Sequence, residues 1–365
     1  MIVNYNKSIL SYVSSIRKYF NLPSSYSPNL ELSNLLNDKK PNKIIVLLVD
    51  GMGSNLINSK LSKDCFLRKN MLYETTTVFP STTTAATTSI RNGKAPNENA
   101  WLGWTQYIKE IDDVIIPFYG CGFYNDIDYG KDLMYKTIPV TFTEDELRQN
   151  GINAKIVFPS FMQDGCEDFE EICSRIVEYA NQDDNKYIYA YWDKYDSYMH
   201  KHGPSSKICD SYLEYINYEI ENMSDNLPND TFLIVTADHG QIDVKEEYNL
   251  YGSKYDKYFS MRPSLEPRAM TFFIKQGKQS EFEKEFNEEF KDRFELLTHQ
   301  QVLDTHLFGE LHNHPRFEEF IGDFLAIGKA NTILAYKEEY IPSMKGQHAG
   351  INNDEMNVPI IVYYK

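Results

Sequence analysis

The stretch KIIVLLVDGMG, residues 43–53, decides the fold of this chain. Residues 44–49 are all apolar, which is typical of a strand buried on both faces of a parallel sheet. A second run of this kind, TFLIVTAD, spans residues 231–238. Both runs end in an aspartate, and in an open α/β sheet the functional site lies beyond the carboxyl ends of the strands. We therefore expect Asp50 and Asp238 to converge at one edge of a sheet.

Segments outside these two runs continue an alternation of strands and helices. Apolar runs predict further strands near residues 154–159, 186–193, 269–275 and 358–364. Helical spacing of apolar residues occurs near the N-terminus and over residues 205–224. Together these segments predict a doubly wound α/β fold, with a mostly parallel sheet and helices on both faces.

The domain organisation follows from the length of the chain and from one local change in composition. A chain of 365 residues can bury one large core, so we interpret residues 1–365 as a single catalytic domain. The stretch from about 245 to 345 is richer in aromatic and charged residues, and it predicts a small inserted subdomain. Four phenylalanines within it recur at intervals of four residues, which indicates core packing: Phe282, Phe286, Phe290 and Phe294.

Composition and charge restrict the class of protein. The net charge of −16 argues against binding nucleic acid as a polymer, because phosphate backbones are bound by clustered Lys and Arg. No apolar stretch reaches the roughly 20 residues needed to span a bilayer, and the N-terminus lacks the pattern of a signal peptide. The five cysteines are irregularly spaced, as expected for reduced thiols. We therefore expect a cytoplasmic protein that does not bind membranes, and its oligomeric state is left open.

Six residues with metal-binding side chains occur near the predicted strand ends or in short Gly-containing segments: Asp50, Asp196, His200, Asp238, His239 and His348. Asp196 and His200 are four residues apart, which places both on one face if a helical turn begins there. Asp238 and His239 are adjacent, and both can reach one ion if the chain turns at the strand end. Carboxylate and imidazole ligands suit zinc, and also manganese or iron. The pattern therefore predicts a two-metal site.

The segment FPSTTTAATTSIRNG, residues 79–93, is the candidate source of a nucleophile. Pro80 breaks any preceding helix, and the Ser/Thr run offers N-cap residues for a short helix that ends near Gly93. A hydroxyl at a helix N-terminus faces backbone N–H groups that favour a phosphoryl group. A Thr-rich cap without chemistry is the alternative. These considerations do not choose among four hydroxyl residues: Ser81, Thr82, Thr83 and Thr84.

Five short motifs follow one another over residues 49–350: VDGMG, FPSTTTAATTSIRNG, DSYMHKHGP, TADHG and GQHAG. In this order they resemble the motifs of the alkaline phosphatase superfamily, specifically its type I phosphodiesterase/nucleotide pyrophosphatase branch. The resemblance implies an alkaline-phosphatase-like fold, and it assigns Thr83, three positions after Pro80, as the nucleophile. The resemblance also divides the ligands between two ions. Asp196, His200 and His348 would bind one, and Asp50, Thr83, Asp238 and His239 would bind the other. The metal of this family is most often zinc, so we expect two Zn²⁺ ions, with Mn²⁺ as the alternative.

Two positions depart from the family pattern and bear on the substrate. Asn99-Ala100 stands where many members have a His before a Gly. Trp104 stands where some phosphodiesterases of the branch have an Asn that holds a phosphoryl oxygen. Trp104 could stack on a nucleobase, close the pocket or pack in the core. His202 is a candidate donor to the phosphoryl group, with a solvated loop histidine as the alternative.

The function implied by the resemblance is metal-dependent hydrolysis of phosphodiester or nucleotide pyrophosphate bonds through a covalent phosphothreonine. The expected partner is a small phosphorylated substrate such as a nucleotide. A phosphomonoesterase and a phosphonate hydrolase of the phosphonoacetate type are the alternatives, and a non-catalytic metal- or phosphate-binding protein is a third class. A sulfatase is excluded, since no cysteine lies in the C-x-P-x-R context that those enzymes require.

Overall fold

A computed structural model of the protein describes residues 3–338 and 344–365. Residues 339–343 of the predicted insertion lie outside the described residues, as do residues 1 and 2. The strands of the described residues, numbered along the chain, are β1 (Lys43–Val49), β2 (Met71–Thr76), β3 (Gln106–Ile108), β4 (Asp113–Ile116), β5 (Cys121–Gly122), β6 (Asn153–Val157), β7 (Asn185–Trp192), β8 (Thr231–Thr236), β9 (Ile242–Asp243), β10 (Glu246–Asn249), β11 (Phe259–Glu266), β12 (Ala269–Ile274), β13 (Phe294–Thr298), β14 (Phe324–Gly328), β15 (Thr332–Ala335), β16 (Gly346–Gln347) and β17 (Asn357–Tyr364).

Helices connect most of these strands. In the same numbering the α-helices are α1 (Ile9–Tyr19), α2 (Leu30–Lys39), α3 (Ser54–Lys60), α4 (Phe66–Lys69), α5 (Thr83–Asn92), α6 (Pro96–Asn99), α7 (Leu133–Thr137), α8 (Thr143–Gln149), α9 (Phe169–Ala180), α10 (Lys194–His202), α11 (Lys207–Asp225), α12 (Gln279–Phe290), α13 (His299–Thr305) and α14 (Asn353–Met356). Short 3-10 turns occupy Tyr5–Lys7 and Phe317–Glu319.

The core of the molecule is a six-stranded sheet in the spatial order β2-β17-β8-β1-β7-β6. The pairs β1–β7, β1–β8 and β6–β7 are parallel, whereas β17 runs antiparallel to both β8 and β2. Every residue of β1 and of β8 is buried, so both faces of these strands are covered. The predicted mostly parallel α/β sheet is confirmed, and the two runs that end at Asp50 and Asp238 form its central strands, β1 and β8.

This sheet brings the predicted ligands to one edge. Asp50 follows β1 directly, and Asp238 follows β8 after a single alanine. Helix α10, which begins at Lys194 just after β7, carries Asp196 and His200. Because β7, β1 and β8 are adjacent and parallel, their carboxyl ends lie side by side.

The segment FPSTTTAATTSIRNG forms the short helix that was predicted. Helix α5 begins at Thr83, after the N-cap residue Thr82, and ends before Gly93. The φ angle of Gly93 is +70°, a left-handed conformation that glycine adopts without a steric cost and that commonly ends helices.

A second sheet lies within the aromatic-rich part of the chain. Strands β11, β12, β14 and β13 form an antiparallel sheet in that order, and α12 packs on it. Phe282, Phe286 and Phe290 are buried in a hydrophobic cluster of their own, as core packing requires. Phe294 belongs to the same cluster, but it begins β13 rather than extending the helix.

Two expectations about the whole chain can be compared with the structure. No helix of the described residues is both long and apolar enough to cross a membrane. All five cysteines are free thiols.

Candidate active site

The first group of predicted ligands contains Asp50, Asp238 and His239. One ligand atom from each lies within 4.8 Å of the others. The Nε2 atom of His239 is 3.3 Å from Asp50 Oδ1 and 3.5 Å from Asp238 Oδ2. All three side chains are buried.

The second group forms around Asp196. His200 Nε2 lies 3.1 Å from Asp196 Oδ2, and His348 Nε2 lies 3.9 Å from Asp196 Oδ1. The compact set of ligand atoms around Asp196 contains His348 and His239, whereas the family pattern places His200 there. The rings of His239 and His348 are stacked 3.8 Å apart, so His239 lies between the two groups. His200 remains next to Asp196, and its ring is 5.1 Å from that of His348.

The three histidines share one orientation. In each, Nδ1 contacts a backbone carbonyl: Gly346 at 2.8 Å for His200, Gly240 at 3.1 Å for His239, and Ser81 at 3.0 Å for His348. A carbonyl oxygen can only accept, so Nδ1 carries the hydrogen and Nε2 is left for the site. This arrangement is common for histidines that bind metals through Nε2.

Electrostatics in the site favours a positive charge. Burial, together with the nearby Asp238 and Asp196, raises the pKa of Asp50 well above its ordinary value. Burial alone would lower the pKa of His239, but Asp238 and Asp50 outweigh it and raise that pKa to about 10. Burial and the neighbouring His239 lower the pKa of His348, which keeps its imidazole neutral and able to act as a ligand.

The described residues fit divalent cations. Three carboxylates converge with the imidazoles of His239 and His348, and His200 lies next to Asp196. The Oδ2 atom of buried Asp238 has no hydrogen-bond partner among the described residues. A buried carboxylate oxygen without a hydrogen bond is unfavourable, and a bound cation would stabilise it. Oxygen and nitrogen ligands of this kind suit Zn²⁺ and Mn²⁺.

Thr83 lies beside the first group. Its Oγ1 atom is 3.3 Å from Asp50 Oδ2 and 3.2 Å from His239 Nε2. The neighbouring hydroxyls point elsewhere: Ser81 donates to the carbonyl of Gly350 at 2.8 Å, and Thr82 donates to Glu266. The buried hydroxyl of Thr84 has no hydrogen-bond partner among the described residues. Of the four hydroxyls that the sequence left open, only that of Thr83 contacts the candidate ligands.

The structure adds three residues that the sequence analysis did not single out. The hydroxyl of Tyr191 donates to Asp50 Oδ2, and the amide of Gln241 donates to Asp196 Oδ1. Glu266 accepts from the Thr82 hydroxyl and, at 2.6 Å, from the backbone N–H of Trp104. Burial raises the pKa of Glu266 to about 7 although these two hydrogen bonds oppose the shift.

The candidate substrate contacts differ in position. Trp104 is half-buried next to Glu266, and its ring packs edge-on against exposed Tyr119 at 5.7 Å. His202 is two residues beyond His200 on α10, and its ring lies 6.0 Å from Tyr198. A helix turns about 100° per residue, so His200 and His202 point in nearly opposite directions. The described contacts of His202 therefore do not bring it to the ligands.

Arg91 and Arg268, two arginines that could contact an anionic substrate, both form ion pairs with glutamates. Arg91 forms an ion pair with Glu144 and stacks on Phe142, with 3.7 Å from its guanidinium carbon to the ring centre. Arg268, fully buried, pairs with Glu355 at 2.6 Å. Ion pairing, rather than contact with a substrate, accounts for both.

Sequence comparison identifies the family of the chain. The sequence model of the family described as "Type I phosphodiesterase / nucleotide pyrophosphatase" matches residues 122–351. That range contains Asp196, His200, Asp238, His239 and His348. No curated protein matches the chain with statistical significance.

Structural comparison gives the same fold at low sequence identity. Murine ectonucleotide pyrophosphatase/phosphodiesterase 5 is 15% identical with a TM-score of 0.70, and the match covers 88% of each chain. Its inactive threonine-to-alanine variant, solved in complex with AMP, matches equally well, with the same TM-score of 0.70. Phosphonoacetate hydrolase from Sinorhizobium meliloti in complex with phosphonoformate is 15% identical with a TM-score of 0.66, and the match covers 88% of this chain and 90% of that one.

Proposed function

This chain belongs to the type I phosphodiesterase/nucleotide pyrophosphatase family of phosphoryl hydrolases, and from that membership we propose that it cleaves phosphodiesters or nucleotide pyrophosphates with Thr83 as its nucleophile. The observation that carries the proposal is the position of Thr83 Oγ1, 3.3 Å from Asp50 and 3.2 Å from His239. The inactive threonine-to-alanine variant of the murine neighbour, solved with AMP, supports a catalytic threonine and a nucleotide-like substrate.

The candidate ligands define where the cations of this family would bind. Asp50, Thr83, Asp238 and His239 would hold one divalent ion, and Asp196, His200 and His348 would hold the other, with His239 lying between the two groups. When bound, two such ions lower the pKa of the nucleophilic hydroxyl and neutralise charge that develops on the phosphoryl and leaving oxygens. We propose Zn²⁺ as their identity, with Mn²⁺ as the alternative.

The residues of this chain supply position and orientation. Thr83 gives up its hydroxyl proton and attacks phosphorus through Oγ1, so that a new P–O bond forms while the bond to the leaving oxygen breaks and that oxygen takes up a proton. Water then attacks the phosphothreonine, the bond from phosphorus to Oγ1 breaks, and a proton from that water restores the Thr83 hydroxyl. Tyr191 and Gln241 hold Asp50 and Asp196 in place through their hydrogen bonds. The N–H groups at the start of α5 lie next to Thr83, where a helix N-terminus favours phosphoryl oxygens.

Preference for a diester over a monoester follows from the charges around the nucleophile. A monoester carries one more negative charge, and enzymes that bind it commonly supply a cationic side chain. Here Arg91 and Arg268 are taken up by Glu144 and Glu355, and the carboxyl group of Glu266 is next to Thr82. We therefore propose that neither arginine balances the extra negative charge of a monoester, so that a diester binds better.

The substrate and the domain organisation complete the proposal. Half-buried Trp104 is a candidate wall of the substrate pocket, since it adjoins Glu266 and exposed Tyr119.

We retain residues from about 245 to 345 as an inserted subdomain, supported by the separate hydrophobic cluster that β11–β14 and α12 form. Phosphonate hydrolysis is the second candidate activity, and its support is the likeness to phosphonoacetate hydrolase.

Initial rates of one zinc-loaded preparation on four substrates test the proposal. They are bis-p-nitrophenyl phosphate, p-nitrophenyl thymidine monophosphate, p-nitrophenyl phosphate and phosphonoacetate. We expect one of the two diesters to give the highest kcat/KM. Faster turnover of p-nitrophenyl phosphate than of both diesters would replace the proposal with a monoesterase, and faster turnover of phosphonoacetate would replace it with a phosphonate hydrolase.

A further inference from the structure

The N-cap of helix α5 is unusual in how its hydroxyl is used. A threonine at this position commonly accepts a hydrogen bond from the backbone N–H two or three residues later. Thr82 occupies the N-cap in the expected extended conformation, yet its side chain caps nothing. Its hydroxyl donates to Glu266 instead. No described residue accepts a hydrogen bond from the N–H groups of Thr83, Thr84 or Ala85.

We propose that Glu266 is a positioning residue for phosphoryl transfer: by holding the Thr82 hydroxyl, it keeps the first N–H groups of α5 free for the phosphoryl group. This inference rests on the proposed function, because it concerns the same nucleophile helix. Glu266 acts through Thr82 and makes no bond to the reacting atoms.

The position of Glu266 is fixed by the elements around it. Glu266 is the last residue of β11 and is 4% exposed, so its side chain cannot reach solvent without disrupting the packing around it. Its neighbour Leu265 exchanges two backbone hydrogen bonds with Thr105, at 3.0 and 3.2 Å. The carboxyl also accepts from the N–H of Trp104 at 2.6 Å. The second sheet thereby places one acidic side chain at the start of the nucleophile helix.

Two substitutions separate the acceptor from the charge. Glu266→Gln keeps a carbonyl oxygen that can accept from both Thr82 and Trp104, so we expect kcat within about fivefold of wild type, the size of one modest hydrogen-bond change. Glu266→Leu has no acceptor and releases the Thr82 hydroxyl to cap the helix. We expect kcat to fall about 100-fold, as when one donor to a developing oxyanion is lost. Equal losses in the Gln and Leu variants would overturn the proposal.

Rescue by a second substitution distinguishes positioning from general destabilisation. Thr82→Val removes the hydroxyl that would otherwise cap α5, so the double variant Glu266→Leu/Thr82→Val should recover at least about tenfold of the lost kcat. A structural role of Glu266 predicts the opposite, since the double variant removes a second buried group. A double variant as slow as Glu266→Leu would overturn the proposal. Thr271→Val is the matched control, because it breaks a buried hydrogen bond of 2.9 Å to Ser264 in the same sheet.

Phosphate binding gives a readout that does not need turnover. Inorganic phosphate should raise the Tm of the zinc-loaded wild type and of the double variant more than that of Glu266→Leu. An equal rise in Tm in all three proteins would overturn the proposal. If Thr83→Ala kept full activity while this pattern of Tm shifts held, the covalent mechanism would fail and the positioning role of Glu266 would stand.

Discussion

The Nδ1 atom of His348 lies 3.0 Å from the backbone carbonyl of Ser81, which connects the last motif of the chain to the loop before Thr83, the proposed nucleophile. The same carbonyl accepts from the N–H of Ala349 at 2.8 Å, and the Ser81 hydroxyl donates to the carbonyl of Gly350 at 2.8 Å. Two segments 267 residues apart are therefore clamped together. This clamp sets both the tautomer of a candidate ligand and the position at which helix α5 begins.

Substitution of one metal-binding side chain should lower the number of divalent ions bound per chain. Protein purified without chelator should contain up to two divalent ions per chain, with zinc in excess of manganese by elemental analysis. Asp238→Asn should lose about one of them, since the Oδ2 atom of Asp238 is buried and has no other hydrogen-bond partner among the described residues. Asp243→Asn is the control, because Asp243 bonds to Ser205 outside both ligand groups. Unchanged metal content in Asp238→Asn would contradict the assignment.

The buried pair of Arg268 and Glu355 should stabilise the clamp. Both side chains are fully buried, and Glu355 also accepts from the N–H of Gly350 at 2.7 Å. Glu355→Leu leaves a buried guanidinium without its partner, so the free energy of unfolding in urea should fall by about 3–5 kcal/mol. Asp132→Asn, which breaks an exposed pair with Lys136, should leave the free energy of unfolding nearly unchanged. Comparable losses in the two variants would rule out a special role for the buried pair.

Residues that lie at strand ends or in short motifs could be predicted from the sequence. Asp50 and Asp238 follow mostly apolar runs, which predicted central strands with adjacent ends, and both strands are buried at every position. The roles of Asp196, His200 and His348 required the family resemblance, because a lone Asp or His carries no such signal. His202 lies in the same motif as His200, but the sequence alone did not show that it points away from the ligands. The two residues are two positions apart on α10, and helix geometry directs them to nearly opposite sides.

Residues whose position depends on tertiary packing could not be predicted. Glu266 lies in SMRPSLE, a stretch with no motif, and it reaches the N-cap residue Thr82 only because the second sheet packs against the segment around Thr105. Its neighbour Leu265 has a φ angle of +73°, which is rare for a branched residue and cannot be read from the sequence. Tyr191 reads as one of several aromatic residues in a buried strand, and nothing marks it as the donor to Asp50.

Substitution of Thr83 should remove activity while leaving the fold intact. Thr83→Ala deletes the proposed nucleophile but leaves Asp50, Asp238 and His239 in place. We expect kcat at least about 1,000-fold lower, beyond the usual loss of one oxyanion donor. Thr83→Ser keeps the oxygen and should retain partial activity. Thr84→Val is the matched control on the same helix, because the hydroxyl of Thr84 has no partner among the described residues. Near-normal turnover in Thr83→Ala would leave direct attack by water as the mechanism.

The stability of the metal-free protein should depend on the ionisation of Glu266. Burial raises the pKa of this carboxyl from 4.5 to about 7, so the folded state holds a proton that the unfolded chain releases above its own pKa. Below pH 4.5 both states are protonated and the group contributes nothing, whereas above pH 7 the folded state must bury a charge. The free energy of unfolding should therefore lose about 3 kcal/mol from this group between pH 4.5 and 7.

Glu266→Gln has no such ionisation. In urea titrations after chelator treatment, its stability relative to wild type should rise by up to that amount between pH 5 and 8. Ser264→Ala, in the same strand, should shift the free energy of unfolding equally at both pH values. A difference between wild type and Glu266→Gln that does not change with pH would mean that Glu266 titrates near its ordinary pKa in the folded protein.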